Sequence, residues 1–294
     1  MKCGTVTIMG RPNVGKSTLL NSLMNMKLAI TTDKAGTTRN IIEGIYQDED
    51  SQIIFIDTPG IHKPMYKLGN LLNRKAYQNI DNADIILFLI DGSTGFGKGD
   101  QFVLNKLEEK KDTPLFLIIN KIDKMKKEQL IQTINQVKDV CNFAEIIPIS
   151  ALKKTAIQDL IHTIKKYLPL EEAIFEENEL TNVSTRFLMA EFVREKAMML
   201  TRQEVPHAIT CYVENYEEED NLVHIQVLLV VDRENLKKIL IGKGGSMLKK
   251  VGTLARHDME EFLGKKVYLE LHVKVIENWR DQEKLLKELG FDDE

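Results

Sequence analysis

The first residues of the chain with a chemistry of their own form a loop suited to binding phosphate groups. The loop lies between a strand-like segment and an apolar helix and consists of Gly10, Arg11, Pro12, Asn13, Val14, Gly15, Lys16, Ser17 and Thr18. Glycines let successive backbone N–H groups point at phosphate oxygens, and the N-terminus of the following helix adds a favourable field. In such a loop Lys16 bridges the β- and γ-phosphates of a nucleotide, and the Ser17 hydroxyl is a Mg²⁺ ligand. A simple glycine-containing turn is the alternative.

A carboxylate and a threonine further along the chain could complete a Mg²⁺ site. Asp57 ends an apolar segment and is followed by Thr58, Pro59 and Gly60. Its carboxylate can hold Mg²⁺ and the Gly60 N–H can sense a γ-phosphate, although such a stretch is by itself most often a turn. In the polar loop at 36–39 we expect Thr38, in preference to Thr37, to join the Mg²⁺ ligands when a γ-phosphate is present. The candidate catalytic residues are Lys16, Thr38, Asp57 and Gly60.

Two stretches at later strand ends carry residues that could recognise the base. The first consists of Asn120, Lys121 and Asp123, and the second of Ser150, Ala151 and Leu152. The Asp123 carboxylate can accept hydrogen bonds from both the ring N–H and the exocyclic amine of guanine, whereas adenine would leave the desolvated charge unpaired. Such a mismatch costs on the order of 10⁴-fold in affinity or more. A backbone N–H of the second stretch would lie near the guanine carbonyl oxygen. The five motifs in this order predict a site for GTP or GDP.

A glycine-rich loop in the C-terminal half could clamp RNA. It lies between two predicted helices and consists of Ile241, Gly242, Lys243, Gly244 and Gly245. Such glycines let a sugar–phosphate backbone approach without Cβ clashes, and bases are read in an adjacent groove. The net charge of −4 argues against a general polyanion binder, but residues 233–256 hold seven cations, Lys249 and Lys250 among them, against one acid. For an isolated pair of glycines, a helix C-cap and turn is the alternative.

The elements that must position these motifs follow from the apolar periodicity. In the first half, apolar segments at 5–9, 53–56, 85–90, 115–119 and 146–149 alternate with amphipathic stretches. This alternation predicts a doubly wound, mostly parallel α/β sheet with functional loops at the carboxyl ends of its strands. The second half predicts helices at 185–200, 234–240 and 246–263 and strands at 208–213, 222–231 and 267–275. That αββααβ order indicates a separate α+β domain.

Length and composition set the organisation of the chain. Its 294 residues suffice for two compact cores, and an acidic stretch after Pro169 marks a boundary between them. We predict a nucleotide-binding domain at 1–169, a linker at 170–180 and an RNA-binding domain at 181–294. The apolar runs have only the length of buried strands, so we expect no integral membrane anchor. The chain enters a strand-like segment at Thr5 and the phosphate loop at Gly10, which leaves no room for a signal segment, so we expect a cytoplasmic protein. The three cysteines, Cys3, Cys141 and Cys211, fit neither a disulfide framework nor a zinc site.

Together these motifs resemble the Era family of translation-factor-related GTPases, over nearly the whole chain. In the C-terminal half, residues 240–245, residues 273–280 and the stretch Arg194-Glu195-Lys196 are similar to the type II KH domain of that family. The resemblance implies hydrolysis of GTP to GDP and phosphate, binding to the 3′ end of 16S rRNA, a role in assembling the 30S ribosomal subunit, and loose peripheral association with the inner membrane. We expect a monomer. Gly36 departs from the family pattern, in which Gln is frequent at this position.

The resemblance also bears on catalysis. Ras-like GTPases carry a water-orienting Gln after the Gly of the third motif, but this chain has Ile61, which cannot hydrogen-bond a water. Hydrolysis should therefore be slow without assistance. Asn13 matches the phosphate-loop Asn that holds K⁺ in relatives with an apolar residue at the Gln position, and K⁺ would add positive charge where negative charge accumulates. We interpret the next residues, 62–64, as part of a second switch.

Two other interpretations are open. A Der-like ribosome-assembly GTPase would carry two GTPase domains in tandem and a terminal domain without the glycine-rich loop, whereas this chain has one phosphate loop. An RNA-binding module with a vestigial GTPase domain is opposed by the intact Lys16, Ser17, Asp57 and Asp123. The favoured hypothesis is a switch in which GTP and Mg²⁺ order the loops at Thr38 and Gly60 and thereby control RNA binding.

Overall fold

The computed structural model describes residues 1–34, 36–61, 66–107, 113–177, 179–201, 205–288 and 291. The strands are β1 (Lys2–Met9), β2 (Ile42–Gln47), β3 (Ser51–Asp57), β4 (Ile85–Asp91), β5 (Leu115–Asn120), β6 (Glu145–Pro148), β7 (Ile209–Glu218), β8 (Leu222–Val231) and β9 (Lys266–Val275). The α-helices are α1 (Lys16–Met24), α2 (Lys67–Asp81), α3 (Lys98–Leu107), α4 (Lys127–Val137), α5 (Ile157–Tyr167), α6 (Thr185–Leu200), α7 (Val205–Ala208), α8 (Glu234–Ile241), α9 (Ser246–Leu263) and α10 (Glu283–Glu288).

The chain divides into two compact units whose boundaries do not follow the sequence simply. The N-terminal unit comprises Met1–Ala29, Thr38–Pro64 and Leu72–Asn182. The C-terminal unit comprises Val183–Glu294 together with two segments from the first half of the chain, Ile30–Thr37 and Met65–Leu71. Both segments lie next to predicted nucleotide motifs, and no pattern in their residues predicts that they cluster with the second unit.

The sheet of the N-terminal unit has the strand order β2-β3-β1-β4-β5-β6. The β1–β3, β1–β4, β4–β5 and β5–β6 pairs are parallel, which confirms the predicted doubly wound, mostly parallel sheet. Every residue of β3, β4 and β5 is buried, as expected for strands covered on both faces. The sequence did not predict β2, which pairs with β3 in antiparallel orientation at the edge of the sheet.

The stretch after α5 lies along the N-terminal unit. Leu170 forms a bridge with Lys2, the Gln52 side chain donates to the Phe175 carbonyl at 2.9 Å, and the Ile45 N–H donates to the Leu180 carbonyl at 2.9 Å. Within the predicted linker 170–180, Leu170, Phe175 and Leu180 are therefore tied to strands of this unit. Asn178 lies outside the described residues.

The C-terminal unit is an α+β fold around a three-stranded sheet of order β7-β8-β9. The β7–β8 pair is antiparallel and the β8–β9 pair is parallel. The αββααβ order is confirmed, with the short α7 and α10 as additions. On α9 the core side chains are Val251, Ala255 and Met259, whereas Leu254 is 41% exposed. Among the described residues, no helix combines the length and apolar character needed to cross a membrane.

Candidate functional site

The phosphate loop joins the end of β1 to the start of α1 and has two positions that only glycine can fill. A Cβ on Gly10 would lie 2.6 Å from the carbonyl oxygen of Leu89, and a Cβ on Gly15, where φ is +102°, would collide with the Asn120 side chain. Real Cβ atoms do not approach other atoms so closely, and the left-handed φ adds strain for any other residue. The sequence spacing of the two glycines therefore reflects a tightly packed loop.

Lys16 is buried inside this loop. Its ammonium group donates to the carbonyl oxygens of Gly10 and Arg11, each at 3.2 Å. Burial lowers the pKa of Lys16 to about 8, and the nearby Asp57 carboxylate offsets only part of that effect. A buried cation held by backbone carbonyls is placed to attract phosphate oxygens, because few mobile water molecules screen its charge.

The three predicted Mg²⁺ ligands come from three separate segments of the chain, and their side chains lie together around the Ser17 hydroxyl. The Ser17 hydroxyl donates to Asp57 Oδ2 at 2.6 Å and lies 2.8 Å from Thr38 Oγ1. Asp57 is fully buried, and burial raises its pKa to about 6 despite the opposing influence of Lys16 and Ser17. Its second oxygen, Oδ1, has no hydrogen-bond partner in the part of the chain that the structure describes. A buried carboxylate with an unsatisfied oxygen beside two hydroxyls is a set of hard oxygen donors that fits Mg²⁺.

The base-recognition residues lie at the carboxyl ends of β5 and β6. The Asn120 side chain donates to the Val14 carbonyl at 2.8 Å and accepts from the Ala151 N–H at 3.0 Å, so it ties both predicted stretches to the phosphate loop. Asp123 accepts a hydrogen bond from the Ser150 hydroxyl at 2.5 Å and is otherwise exposed. This contact orients the carboxylate and leaves its other oxygen available to a base.

Asp91 belongs to this constellation and was missed in the sequence. It ends β4 directly opposite Asn120 of β5. Lys121, in a left-handed backbone conformation, donates to Asp91 Oδ2 and to the Asn13 carbonyl, both at 2.7 Å. Burial would raise the pKa of Asp91, but the hydrogen bonds from Lys121 and Ser93 outweigh it and hold the pKa below its usual value. The strand-end position after an apolar run was the signal that could have identified Asp91.

Several predicted residues serve the packing of the loop. Arg11 pairs with Asp100 at 3.0 Å and donates to Thr94 at 2.6 Å, and the Thr58 hydroxyl donates to the Ile8 carbonyl at 2.8 Å. A Cβ on Gly60 would lie 3.0 Å from Pro12. Val14 and Pro59 are buried, Thr18 is half-buried, and Leu152 is exposed.

Ile61 is 3% exposed and packs in the core cluster that contains Met9 and Ile80. The position that carries a water-orienting Gln in Ras-like GTPases therefore holds a side chain buried among apolar residues. The neighbouring residues 62–64, which we interpreted as part of a second switch, lie outside the described residues.

The glycine-rich loop of the C-terminal unit lies between α8, which ends at Ile241, and α9. Gly242, Gly244 and Gly245 have φ values of +73°, +58° and +77°. A Cβ on Gly242 would lie 2.7 Å from that of Met247, whereas, among the described residues, no atom beyond the adjoining ones lies within 4 Å of the Cβ positions of Gly244 and Gly245. The loop is thus packed against α9 at Gly242, and space is open around Gly244 and Gly245. The cations predicted to contact RNA, Lys243, Lys249 and Lys250, are exposed.

A cleft of about 420 Å³ opens beside this loop, between α9 and β9. Its lining residues are Gly245, Leu248, Lys249, Gly252, Thr253, Arg256, Val267, Tyr268, Leu269 and Leu271. The apolar floor could accept base faces, and Lys249 and Arg256 add positive charge at its edge. Arg256 belongs to the basic stretch 233–256 that the sequence pointed to. Tyr268, an aromatic residue on the exposed face of a half-buried strand, was not predicted as part of an RNA site.

Comparisons with known proteins agree with both halves of this description. Residues 5–121 match the family model described as 50S ribosome-binding GTPase, and residues 204–280 match the KH domain model. Over 292 residues the chain is 46% identical to GTPase Era from two strains of Clostridium kluyveri, with 99% of both sequences covered.

Two solved structures are similar along their whole length. One is Era in complex with MgGDPNP and nucleotides 1506–1542 of 16S ribosomal RNA, with a TM-score of 0.96, 42% identity and complete coverage of both chains. The other is a variant of Aquifex aeolicus Era bound to GDP and AlF₄⁻, with a TM-score of 0.95, 43% identity and complete coverage. With this identity over nearly every residue, the chain belongs to the GTPase Era family.

Proposed function

We propose that this chain hydrolyses GTP with Mg²⁺ and uses its nucleotide state to control binding of its KH domain to the 3′ end of 16S rRNA during assembly of the 30S subunit. The observation that carries the proposal is that the Ser17 hydroxyl lies within 2.8 Å of both Thr38 Oγ1 and Asp57 Oδ2. Thr38 belongs to a loop that a γ-phosphate can order, so the site can distinguish GTP from GDP.

The roles in hydrolysis follow from position and charge. Lys16 and the backbone N–H groups of the phosphate loop hold the phosphates, and Mg²⁺ held by Ser17, Thr38 and Asp57 would neutralise charge that develops on them. Asp123 selects guanine. Since Ile61 is buried and apolar, no side chain at that position orients a water molecule, and intrinsic turnover is slow. Asn13 is our candidate K⁺ ligand.

The RNA partner is supported by the open loop and its cleft. Gly244 and Gly245 leave space for a sugar–phosphate backbone, the exposed lysines supply charge, and the neighbouring cleft offers an apolar floor for bases. The similar Era structure contains nucleotides 1506–1542 of 16S rRNA, which directs the choice of RNA to the 3′ end. We place this activity in the cytoplasm, in a monomer, with any membrane association peripheral.

The test is the affinity of the chain for a short single-stranded RNA with the sequence of the 16S 3′ end, at fixed moderate salt. We expect a non-hydrolysable GTP analogue with Mg²⁺ to tighten binding several-fold relative to GDP, by about 1 kcal/mol or more of coupling free energy. Gly244→Asp should abolish the interaction, because the loop has room for the side chain but its charge repels phosphates.

Gly264→Asp is the matched control. Gly264 has a φ of +65° and lies at the opposite end of α9. Like Gly244, it has no atom of the described residues, apart from adjoining ones, within 4 Å of its Cβ position. The control variant carries the same charge change and backbone strain in the same unit and should retain RNA binding. If neither nucleotide nor Gly244→Asp alters the affinity, the RNA-binding half of the proposal is refuted.

A further inference from the structure

Two charges of the stretch Arg194-Glu195-Lys196 on α6, those of Arg194 and Glu195, are buried. Arg194 is 1% exposed and Glu195 is 2% exposed, and the preceding Glu191 is also buried. Burying a charge is costly unless it is paired and hydrogen-bonded. The hydrogen-bond partners of these charges therefore show which segment of the chain α6 holds in place.

Arg194 forms a bidentate ion pair with Glu191 and donates one further hydrogen bond to a backbone carbonyl. Its Nε donates to Glu191 Oε1 at 2.6 Å, and one terminal nitrogen donates to Glu191 Oε2 at 2.5 Å. The same terminal nitrogen donates to the carbonyl oxygen of Thr37 at 2.5 Å. Glu191 fixes the plane of the guanidinium, and the guanidinium in turn fixes one backbone carbonyl.

A second contact from α6 holds the other end of the same segment. Glu195 Oε1 accepts from the Thr31 N–H at 2.9 Å. Between the two contacts the Thr37 hydroxyl donates to the Lys34 carbonyl at 2.7 Å and lies 2.6 Å from the Thr32 hydroxyl. Residues 30–37 are thus attached to α6 at both ends, which accounts for their clustering with the C-terminal unit.

The residue after Thr37 is Thr38, whose hydroxyl lies beside that of Ser17. The Thr37 carbonyl and the Thr38 nitrogen belong to one peptide group, which is planar. Holding the carbonyl oxygen therefore sets the orientation of the bond that leads into Thr38. A fixed peptide plane limits where the Thr38 hydroxyl can lie, and that hydroxyl lies 2.8 Å from Ser17 Oγ.

We propose that Arg194, held by Glu191, is a positioning residue for Thr38 in GTP hydrolysis. The inference rests on the proposed function, in which Thr38 joins the Mg²⁺ ligands in the GTP state. Arg194 acts through the peptide group between Thr37 and Thr38, whose carbonyl oxygen it holds. Because coupling is reciprocal, ordering of Thr38 by GTP also stabilises the attachment of residues 30–37 to α6, the first helix of the unit that carries the RNA loop.

The test replaces both partners, since removing Arg194 alone would leave Glu191 buried and unpaired. In a Glu191→Leu, Arg194→Met double variant the pair becomes apolar at similar volume, and the Thr37 carbonyl loses its donor. At saturating Mg²⁺ we expect kcat for GTP to fall about tenfold or more with little change in KM, because Thr38 contributes mainly to stabilising the charge that develops in the transition state. The Mg²⁺ concentration needed for half-maximal binding of a GTP analogue should rise, whereas GDP affinity should stay within about twofold of the wild type, since Thr38 takes no part in the GDP state.

Phe192→Leu is the control for general loss of stability. Phe192 lies on the same helix, in the core of the C-terminal unit, with its ring 5.9 Å from that of Phe262. If Phe192→Leu lowers kcat as much as the double variant does at an equal loss of thermal stability, the role of Arg194 is structural and the inference is overturned. Wild-type kcat and wild-type Mg²⁺ dependence in the double variant overturn it as well.

RNA affinity separates this inference from the proposed function. In the double variant, RNA binding by the GDP form should be unchanged, and the ratio of affinities with the GTP analogue and with GDP should fall toward one. If wild-type protein already gives a ratio of one, the proposed switch is refuted, and the kcat comparison still decides whether Arg194 positions Thr38. If the wild-type ratio is several-fold and the double variant retains it, the proposed function stands and the inference fails.

Discussion

The nucleotide site and the RNA loop use glycine and lysine in opposite ways. In the nucleotide site Lys16 is buried and hydrogen-bonded to carbonyls, and the Cβ positions of Gly10 and Gly15 are blocked by neighbouring atoms. In the RNA loop Lys243 is exposed, and the space around Gly244 is open. The nucleotide site is preorganised for one small ligand, whereas the RNA loop leaves room for a flexible polymer.

This difference predicts how each region responds to substitution. Buried charges in the nucleotide site interact at low effective dielectric, so the loss of one atom removes a contact that water cannot replace. Exposed lysines at the RNA loop are screened by solvent and salt, and each contributes a graded share of a summed attraction. Single substitutions should therefore be severe in the first region and mild in the second.

The largest effect we expect is at Asp123. In Asp123→Asn the side chain can still accept from Ser150 but presents an amide where guanine requires a carboxylate, so GTP affinity should fall by about 10⁴-fold. Xanthosine triphosphate, whose base offers an acceptor in place of the exocyclic amine, should become the preferred ligand. Equilibrium binding of both nucleotides to the wild type and the variant measures this change in base specificity. Unaltered GTP affinity in the variant would show that Asp123 does not contact the base.

A second prediction concerns Ile61. Because its side chain is buried in the core cluster, Ile61→Gln should not supply a water-orienting amide and should instead destabilise the protein by about 1–3 kcal/mol through a buried polar group. Ile61→Leu is the matched control, with a nearly conserved apolar volume. Thermal unfolding and single-turnover hydrolysis are the measurements. Faster hydrolysis in Ile61→Gln would contradict the buried placement.

A third prediction tests the ion expected near the phosphates. Hydrolysis should be about tenfold faster in K⁺ than in Na⁺ at equal ionic strength, a modest electrostatic contribution to the transition state. Asn13 has a φ of +66°, so Asn13→Gly removes its side chain without backbone strain, whereas Asn13→Ala would add strain. The glycine variant should lose the K⁺ stimulation and keep the Na⁺ rate. Equal wild-type turnover in the two salts would rule out the ion.

The contrast between the two regions also explains what the sequence could reveal. Strand ends, glycine spacing and helix boundaries are local properties, and they were enough to place Lys16, Asp57 and Asp123 in one site and to give β8 and α9 their observed bounds. Residues 42–47, by contrast, contain Glu43 and Gly44 and lack a clear apolar period, so β2 was missed. Its pairing with β3 is what makes it a strand.

Contacts between distant parts of the chain were not predictable. Asp91 becomes the partner of Lys121 only through the register that sets β4 beside β5, and no spacing in the sequence encodes that register. The attachment of residues 30–37 to α6 depends likewise on Arg194 and Glu195, which are more than 150 residues away and look like ordinary surface charges on a helix. In both cases a tertiary contact decides what a charged side chain does.

The smallest effect we expect is at the RNA loop and gives the sharpest test of the contrast. Lys249 lines the cleft beside Gly245 and is exposed. Lys249→Ala should weaken RNA binding only about threefold and reduce the magnitude of the slope of log affinity against log salt by about 0.7, the value for one lost contact to single-stranded phosphate. Lys265→Ala is the control, since Lys265 pairs with Glu218 at 2.7 Å and does not line the cleft. A loss of 10²-fold or more in Lys249→Ala, with an unchanged salt slope, would mean that this lysine makes a specific desolvated contact like that of Lys16, and the distinction between a prepared site and an open surface would then fail.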